Sequence, residues 1–479
     1  MRLTIAGGGG FRVPLVYRAL SSGPFAGLVR ELVLYDVDAG RLAAIEAVLA
    51  SMAQQGPPGT GPQIRAVSSL PEALDGADMV FAAIRPGGTA GRTADERIAL
   101  DLGLLGQETT GAGGISYALR SIPPMLRLAE EMRSRCPAAW LLNFTNPAGM
   151  VTEALVPVLG PRVIGICDSA SGLVHRAARA AGVALPEGTL DGVGYYGLNH
   201  LGWLYRLESA GRDALPELLA NPAALSGFEE GRLFPPGLLA GLGGLPNEYL
   251  FYYYDTARAV SGMRAAEQTR GESIARQQAE LYPQLAAAGP EAFALWDAAR
   301  LSREEGYLAE ARTSGERRDE TDLAGGGYER VALAAMRALA GGGAADLILN
   351  TRNTVDAAES TGPAGSTEPE AGAARSAAQA VPAVPGLPAD AVVEVPCRVT
   401  PDGAVPVPQD RPGPAQLELM RRVKDVERLV VEAATTGRRE AALAAFARHP
   451  LVDSEVLAGK LLARYEAAIP DLVRLWHGG

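Results

Sequence analysis

Four short segments of the chain, AAIRPGG, NFTNP, GICDS and GLNH, gather side chains able to do chemistry: Arg85, Asn143, Asn146, Cys167, Asp168 and His200. A cysteine thiolate and a histidine imidazole converging on one face suggest a transition-metal site with coordination positions left open for substrate. Cys167 sits directly before Asp168, where the apolar run RVIGI gives way to small residues. At that point a cysteine reads as presented at a strand end rather than packed. The chain has only three cysteines and four histidines. The same two residues also fit a buried cysteine and a capping histidine, and spacing leaves both readings open. His175, His449 and His477 read as surface or packing residues.

A second constellation lies at the start. The stretch TIAGGGGF supplies Gly7, Gly8, Gly9 and Gly10 after an apolar run, and a helical segment follows whose N-terminal amides would face a pyrophosphate. Asp36 closes VLYD 26 positions after Gly10, near the ~20 expected of a carboxylate that binds a ribose hydroxyl. An acidic residue there favours NAD over NADP. A tight turn without a ligand is the alternative.

These residues need a scaffold that brings strand ends together. Short β-branched runs (RLTIAG, ELVLYD, ADMVFAAI, AAWLLNFTNP) alternate with longer segments of helical period, such as the one from Val13 and GRLAAIEAVLASMAQQ. That alternation predicts parallel strands with right-handed crossovers. The four segments then fall at the C-terminal ends of strands, where ligands of such sheets gather. From Gly197 onward helical patterns dominate, as in GESIARQQAELYPQLAAAG. The expectation is an α/β protein: a Rossmann-type parallel-sheet domain over 1–196 and a larger, mostly helical α+β domain over 197–479. Within the latter, 354–384 is rich in Ala, Gly, Pro, Ser and Glu and lacks aromatics, which predicts a disordered insertion.

Composition narrows the class. With 47% hydrophobic residues over 479 positions the chain can bury a full core. A formal charge of −11 disfavours nucleic acid or anionic membrane as a partner. No stretch approaches the ~18 apolar residues of a membrane span, and the N-terminus turns glycine-rich too early for a signal peptide. Sparse cysteines argue against a disulfide framework, so a cytoplasmic location is expected.

Taken in order, GGGGFRVP, IRPGGTAGRTADERIALDLGLLGQETTGAGG, LLNFTNPAGMVTEA, VIGICD, GLNHLGW, LPNEYLFYYY, MRAAEQ, LILNTRN and LPADAVVEVPC cover nearly the whole chain. This series resembles glycoside hydrolase family 4, the NAD- and divalent-metal-dependent phospho-glycosidases, and most of all its 6-phospho-β-glucosidase branch. The family is an exception to two-carboxylate glycoside hydrolysis. The resemblance implies a lactate/malate dehydrogenase-like fold for the first domain. It also implies oxidation at C3 of the sugar by NAD+, loss of the C2 proton, elimination at C1, addition of water and return of the hydride.

By motif, the resemblance makes Cys167 and His200 the protein's metal ligands, with Mn²⁺ the family's usual ion, and Tyr249 the C2 base. Tyr252, Tyr253 and Tyr254 read as an aromatic core. Arg92, Asn146 and Arg264 would hold substrate and its 6-phosphate, as arginine's planar fork suits a dianion. Phe11 follows the cofactor loop, and Arg85, Asn143 and Glu108 would line the cleft or the nicotinamide side. Asp168 matches the general acid of members acting on α-linked substrates, which keeps a 6-phospho-α-glucosidase, or an α-glycosidase, as the alternative. A homodimer or homotetramer is implied. A 2-hydroxyacid dehydrogenase, which needs a His–Asp relay, and a catalytically silent NAD-binding sensor are the rival classes.

Overall fold

The computed structural model describes residues 1–56, 59–186, 188–306, 327–355 and 381–477. The first half forms the strands β1 (Arg2–Ala6), β2 (Glu31–Tyr35), β3 (Gln63–Val67), β4 (Met79–Ala82), β5 (Trp140–Asn143) and β6 (Val163–Gly165). All pair in parallel, in the order β3-β2-β1-β4-β5-β6, the arrangement of a dinucleotide-binding sheet. The runs MVFA and WLLN are buried along their full length, as strands covered on both faces must be. Helices Val13–Ser21, Ala39–Gln55 and Gly111–Arg135 supply the cover. The second of these opens on Asp38, whose side chain accepts from the Arg41 amide, a stabilising N-cap.

The second half is rich in helix, and it also extends the same sheet. Strands β7 (Val193–Leu198), β8 (Leu201–Ser209), β9 (Arg212–Asp213), β10 (Leu245–Pro246), β11 (Ala345–Arg352), β12 (Val392–Thr400) and β13 (Gly403–Pro406) join it antiparallel. The hairpin β11–β12 inserts between β6 and β7. A boundary at 196/197 therefore falls inside β7, and the sheet is continuous across it. No helix of the described residues is long and apolar enough to cross a membrane.

One register line ties the sheet together. Val67, Tyr35, Ala6, Ala82, Asn143, Gly165, Asn350, Glu394, Gly197 and Gly202 are successive partners across ten strands. The line marks the C-terminal ends of the six parallel strands. Everything just beyond it belongs to one rim: Gly7, Asp36, Arg85, Asn146, Cys167 and His200. Packing on the two faces fixes that rim, with Trp203 and Trp296 wholly buried in the larger cluster and Phe446 and Tyr465 in the other. The long C-terminal helical pattern resolves into two helices, Pro414–Thr436 and Arg439–Arg448, parted at Gly437 with φ +71°. Glycine is favoured at that left-handed stop.

The expected insertion, 354–384, lies outside the described residues over 356–380. Its ends depart from the expectation, because both are anchored. Val355 bridges to Val381, the Thr354 hydroxyl donates to Ala389 O at 2.6 Å, and the Val384 amide donates to Asn353 Oδ1 at 2.7 Å.

Candidate active site

The rim opens into a cleft of about 2650 Å³, larger than the ~300–1,000 Å³ typical of a single small-ligand pocket. Its first wall is the glycine loop. Gly7 takes φ +95°, and a Cβ there would lie 2.6 Å from Ala83 O, so only glycine fits. The Gly7 and Gly8 amides both donate to Tyr35 O, at 2.9 and 2.7 Å, and the Gly10 amide returns to Gly7 O. Gly7, Gly10, Phe11 and Asp36 line the cleft, whereas Gly8 and Gly9 turn inward, with Leu34 and Arg41 where their side chains would be. Asp36 accepts from the Gly9 amide at 2.9 Å and the Asp38 amide at 3.0 Å. It shapes the loop as well as facing the cleft. A glycine cradle at a helix start, with a carboxylate at the end of β2, fits a dinucleotide.

At the other wall the Cys167 Sγ lies 3.4 Å from His200 Nε2 and 3.4 Å from the Ser169 hydroxyl. Cys167 leaves the end of β6, while His200 occupies the two-residue turn between β7 and β8 with φ +63°. That backbone is unusual for a residue with a Cβ, and such outliers concentrate at functional sites. Burial pushes the Cys167 thiol up, with Glu394 and Asp168 adding to it. Burial also lowers His200 to about 4, leaving a neutral imidazole able to ligate. Two ligands ~2.1–2.3 Å from one ion lie roughly 3–3.6 Å apart, so the pair fits a divalent cation. Among the described residues no third His, Cys, Asp or Glu completes a cluster. Further coordination would fall to substrate or water.

Tyr249 stacks on the His200 ring, with centroids 3.8 Å apart and planes 1° from parallel. Its amide is held by Asn247 Oδ1 at 3.1 Å, and Asn247 Nδ2 donates to the Ser169 hydroxyl at 2.9 Å. Tyrosine, imidazole, thiol and hydroxyl thus form one connected unit. Asp168 lines the cleft beside them, crowded by Gly327, where a Cβ would come within 2.6 Å of the Asp168 Cβ. Tyr252 belongs to the core, and Tyr254 accepts from Trp203 Nε1 at 3.1 Å.

Arg85, Arg92 and Glu108 meet on the cleft floor. Glu108 takes Arg85 at 2.5 Å and Arg92 at 2.9 Å. Burial alone would raise its carboxyl, but the two guanidinium groups prevail and hold it at about 2. Asn146 lines the same cleft. Besides Gly8 and Gly9, two expected site residues do not reach it. Asn143 is fully buried and its amide bonds Thr145 O, Ala148 O and Thr152 Oγ1, while its oxygen accepts from the Thr145 amide. It holds the NFTNP loop rather than a cofactor. Arg264 is exposed at the end of the helix Thr256–Ala265 and lies outside the cleft.

Sequence reasoning missed Arg12, Arg270 and Arg303, all in the cleft wall. Arg303 stands over the Phe11 ring at 5.0 Å, and its Nε and Nη1 are buried without a hydrogen-bond partner among the described residues. Burial drives its guanidinium down, and Arg12, Arg270, Arg92 and Arg85 add to the effect. An orphaned, crowded cation is the mark of a site built for an anion. Glu248 was missed too. Burial and then Glu230 push its carboxyl up to about 8 next to Tyr249. For Arg303 and Arg270 the signal was weak, since SREEG and TRGES read as solvated charged helix.

The family profile "Family 4 glycosyl hydrolase" matches residues 2–183, and its C-terminal domain profile matches 195–360 and 375–452. A probable 6-phospho-beta-glucosidase of Bacillus subtilis is 29% identical over 450 residues, 91% of this chain and 88% of that one. The 6-phospho-alpha-glucosidase 1 of Lacticaseibacillus paracasei is 37% identical over 217 residues, 45% of this chain and 48% of that one. The structure of the Thermotoga maritima 6-phospho-beta glucosidase with manganese, NAD+ and glucose-6-phosphate superposes with a TM-score of 0.75 at 24% identity, covering 98% of this chain and 99% of that one. The glycine cradle, the Cys–His pair and these matches lead to one assignment: the chain belongs to family 4 of the glycosyl hydrolases.

Proposed function

We propose that the protein hydrolyses a 6-phospho-β-glucoside with NAD+ and a divalent cation, Mn²⁺ in the first instance. The observation that carries this is the Cys167–His200 pair, 3.4 Å apart, in one cleft with the Gly7–Gly10 loop. A β-named relative aligned over most of both chains supports the substrate class. When bound, the nicotinamide would take and return a hydride and the cation would act as a Lewis acid toward sugar oxygens.

The chain's own residues position and move protons. Cys167 and His200 would hold the cation, Cys167 as the thiolate. Tyr249, aligned by its stack on His200, removes the C2 proton; a cation nearby favours the phenolate. Arg303, Arg92, Asn146 and Arg270 receive the 6-phosphate, and Glu108 holds Arg85 and Arg92 in place. Phe11, with its carbonyl accepting from Trp296 Nε1 at 2.7 Å, braces the loop under the cofactor. Residues up to 196 contribute the cofactor loop and Cys167, and those from 197 contribute His200, Tyr249 and Arg303.

Asp168 favours a second reading, a 6-phospho-α-glucoside, since a carboxyl lining the cleft beside the metal pair can protonate a poor leaving group. No carboxylate hydrogen-bonds to His200 among the described residues, which argues against a hydroxyacid-dehydrogenase relay. The three cysteines are free thiols, which supports a reducing, cytoplasmic setting, and we place the enzyme there as a homodimer or homotetramer. The test is a panel of α- and β-linked p-nitrophenyl glucosides, with and without 6-phosphate, plus NAD+, Mn²⁺ and reductant. Release from the phosphorylated β substrate alone bears out the first reading. Release without 6-phosphate, or none under any metal, overturns it.

A further inference from the structure

Three sequence motifs, GLNH, LILNTRN and VVEVPC, contribute only His200 to the reading above, yet the fold brings them to a single carboxylate. Glu394, 1% exposed, stands on the register line between Gly197 of β7 and Asn350 of β11. Asn199 Nδ2 donates to its Oε1 at 3.1 Å, Asn350 Nδ2 to the same oxygen at 3.0 Å, and the Tyr195 hydroxyl to Oε2 at 3.0 Å. Gly202 makes room for that hydroxyl, since a Cβ there would sit 2.3 Å from it.

All three partners donate, and the Asn199 and Asn350 amide oxygens are left without partners among the described residues. Both amides therefore spend their NH2 groups on Glu394: burial pushes its carboxyl up, and the hydrogen bonds from Asn199, Tyr195 and Asn350 act against that by favouring the charged form. A carboxylate buried at a sheet centre with neutral donors is costly for stability alone, and it stands behind the one turn that carries a metal-pair residue. Asn199 and His200 are the two residues between paired Leu198 and Leu201, and His200 has φ +63°. A two-residue turn with that backbone suits glycine or asparagine at its second place. Something must hold histidine in it, and the Asn199 amide fastened to Glu394 does so.

We propose that Glu394 is a positioning residue of the metal centre, holding through Asn199 the turn that points His200 at Cys167 and setting a negative charge behind that pair. The inference rests on Cys167 and His200 binding a divalent cation. Outer partners of metal ligands typically change affinity 10–100-fold when lost.

The experiment measures Mn²⁺ binding by electron paramagnetic resonance on the full chain with NAD+ bound, alongside NAD+ affinity and melting temperature, for wild type, C167S, E394Q and N199A. Glutamine keeps an acceptor for the two amides and removes the charge. The expected result is Mn²⁺ affinity about 10-fold weaker or more in E394Q and N199A, with NAD+ affinity within about twofold, and no specific Mn²⁺ binding in C167S. Unchanged Mn²⁺ affinity in E394Q, with C167S inactive in binding, overturns the role of Glu394 and leaves the metal pair standing. Equal losses of NAD+ binding, melting temperature and Mn²⁺ binding in E394Q mark a structural role and also overturn it. Absence of Mn²⁺ binding in wild type overturns the metal reading itself. Should E394Q not fold, N199A decides, because it cuts the link at a half-buried turn: wild-type Mn²⁺ affinity there sinks the proposal.

Discussion

Two buried clusters of charge in this molecule are built to opposite rules. Behind the sheet, Lys424 is closed on every side. Its ammonium meets Glu153 at 2.7 Å, Glu427 at 2.5 Å and Val392 O at 2.8 Å, tying the helices Ala148–Leu159 and Pro414–Thr436 to β12. Asp95 and Arg120 are closed in the same way by two bonds of 2.8 and 2.7 Å. In the cleft, Arg12, Arg85, Arg92, Arg270 and Arg303 crowd together; Glu304 pairs with Arg12 and Glu108 with Arg85 and Arg92, but Arg303 keeps two buried nitrogens unmatched among the described residues. Charge that serves the fold is matched internally, because an unpaired buried ion is destabilising by several kcal/mol. Charge that serves a ligand is left open at the fold's expense.

The contrast breaks if cleft residues prove structural or closed clusters prove catalytic. The largest expected effect is at the metal pair: Cys167→Ser lowers kcat/KM on a 6-phosphorylated p-nitrophenyl glucoside by about 1,000-fold or more, with NAD+ affinity and melting temperature near wild type. A metal-responsive Cys167→Ser enzyme would remove the site from the argument. Next, Arg303→Met raises KM for that substrate about 30- to 100-fold through the lost charge-assisted contact, while the melting temperature stays level or rises. A drop in stability instead would mean Arg303 belongs with Lys424.

Lys424→Met gives the mirror image. It strands Glu427 and leaves Glu153 only the Val392 amide and Arg428, so chemical denaturation should show a loss of about 3–5 kcal/mol, with kcat/KM per folded molecule unchanged. A smaller effect separates the buried histidines from both clusters. Burial lowers His200 to about 4 and His449 to about 3 from 6.5. With both folded values depressed, the unfolded chain binds more protons below pH 6.5. Stability is complete above that value and falls as pH drops toward 4 and 3, by up to about 1.4 kcal/mol per pH unit for each group. His449→Gln should remove one such share from the slope of unfolding free energy against pH. An unaltered slope would show that His449 charges in the native state. Smallest of all, Asp168→Asn should leave turnover of an aryl β-substrate within about fivefold, because a good leaving group needs little protonation. A larger loss would favour the α reading.

Much of the parallel half was legible because each strand is a short apolar run and each crossover helix carries its own period. Gly7 and Cys167 were legible because few physical reasons put a glycine run or a lone cysteine at a strand end. Pairing was not. LILNTRN and VVEVPC look like strands, but nothing local says that they enter between β6 and β7, far away in the chain. Asn143 and Asn146 are three residues apart in one motif, and only the turn of the loop decides that one amide faces inward. Arg264 and Arg270 stand six apart in charged helical text, so the sequence did not separate the exposed arginine from the one at the cleft.

The insertion of β11–β12 also dictates when activity can first appear. A nascent polypeptide synthesised as far as residue 300 already contains Gly7, Cys167, His200 and Tyr249, yet the edges of β6 and β7 that face each other still await the hairpin 345–400. Pairings so distant along the chain are slow to form. The strands that lead to Cys167 and His200 are therefore joined into one sheet only once residues 345–400 have been made.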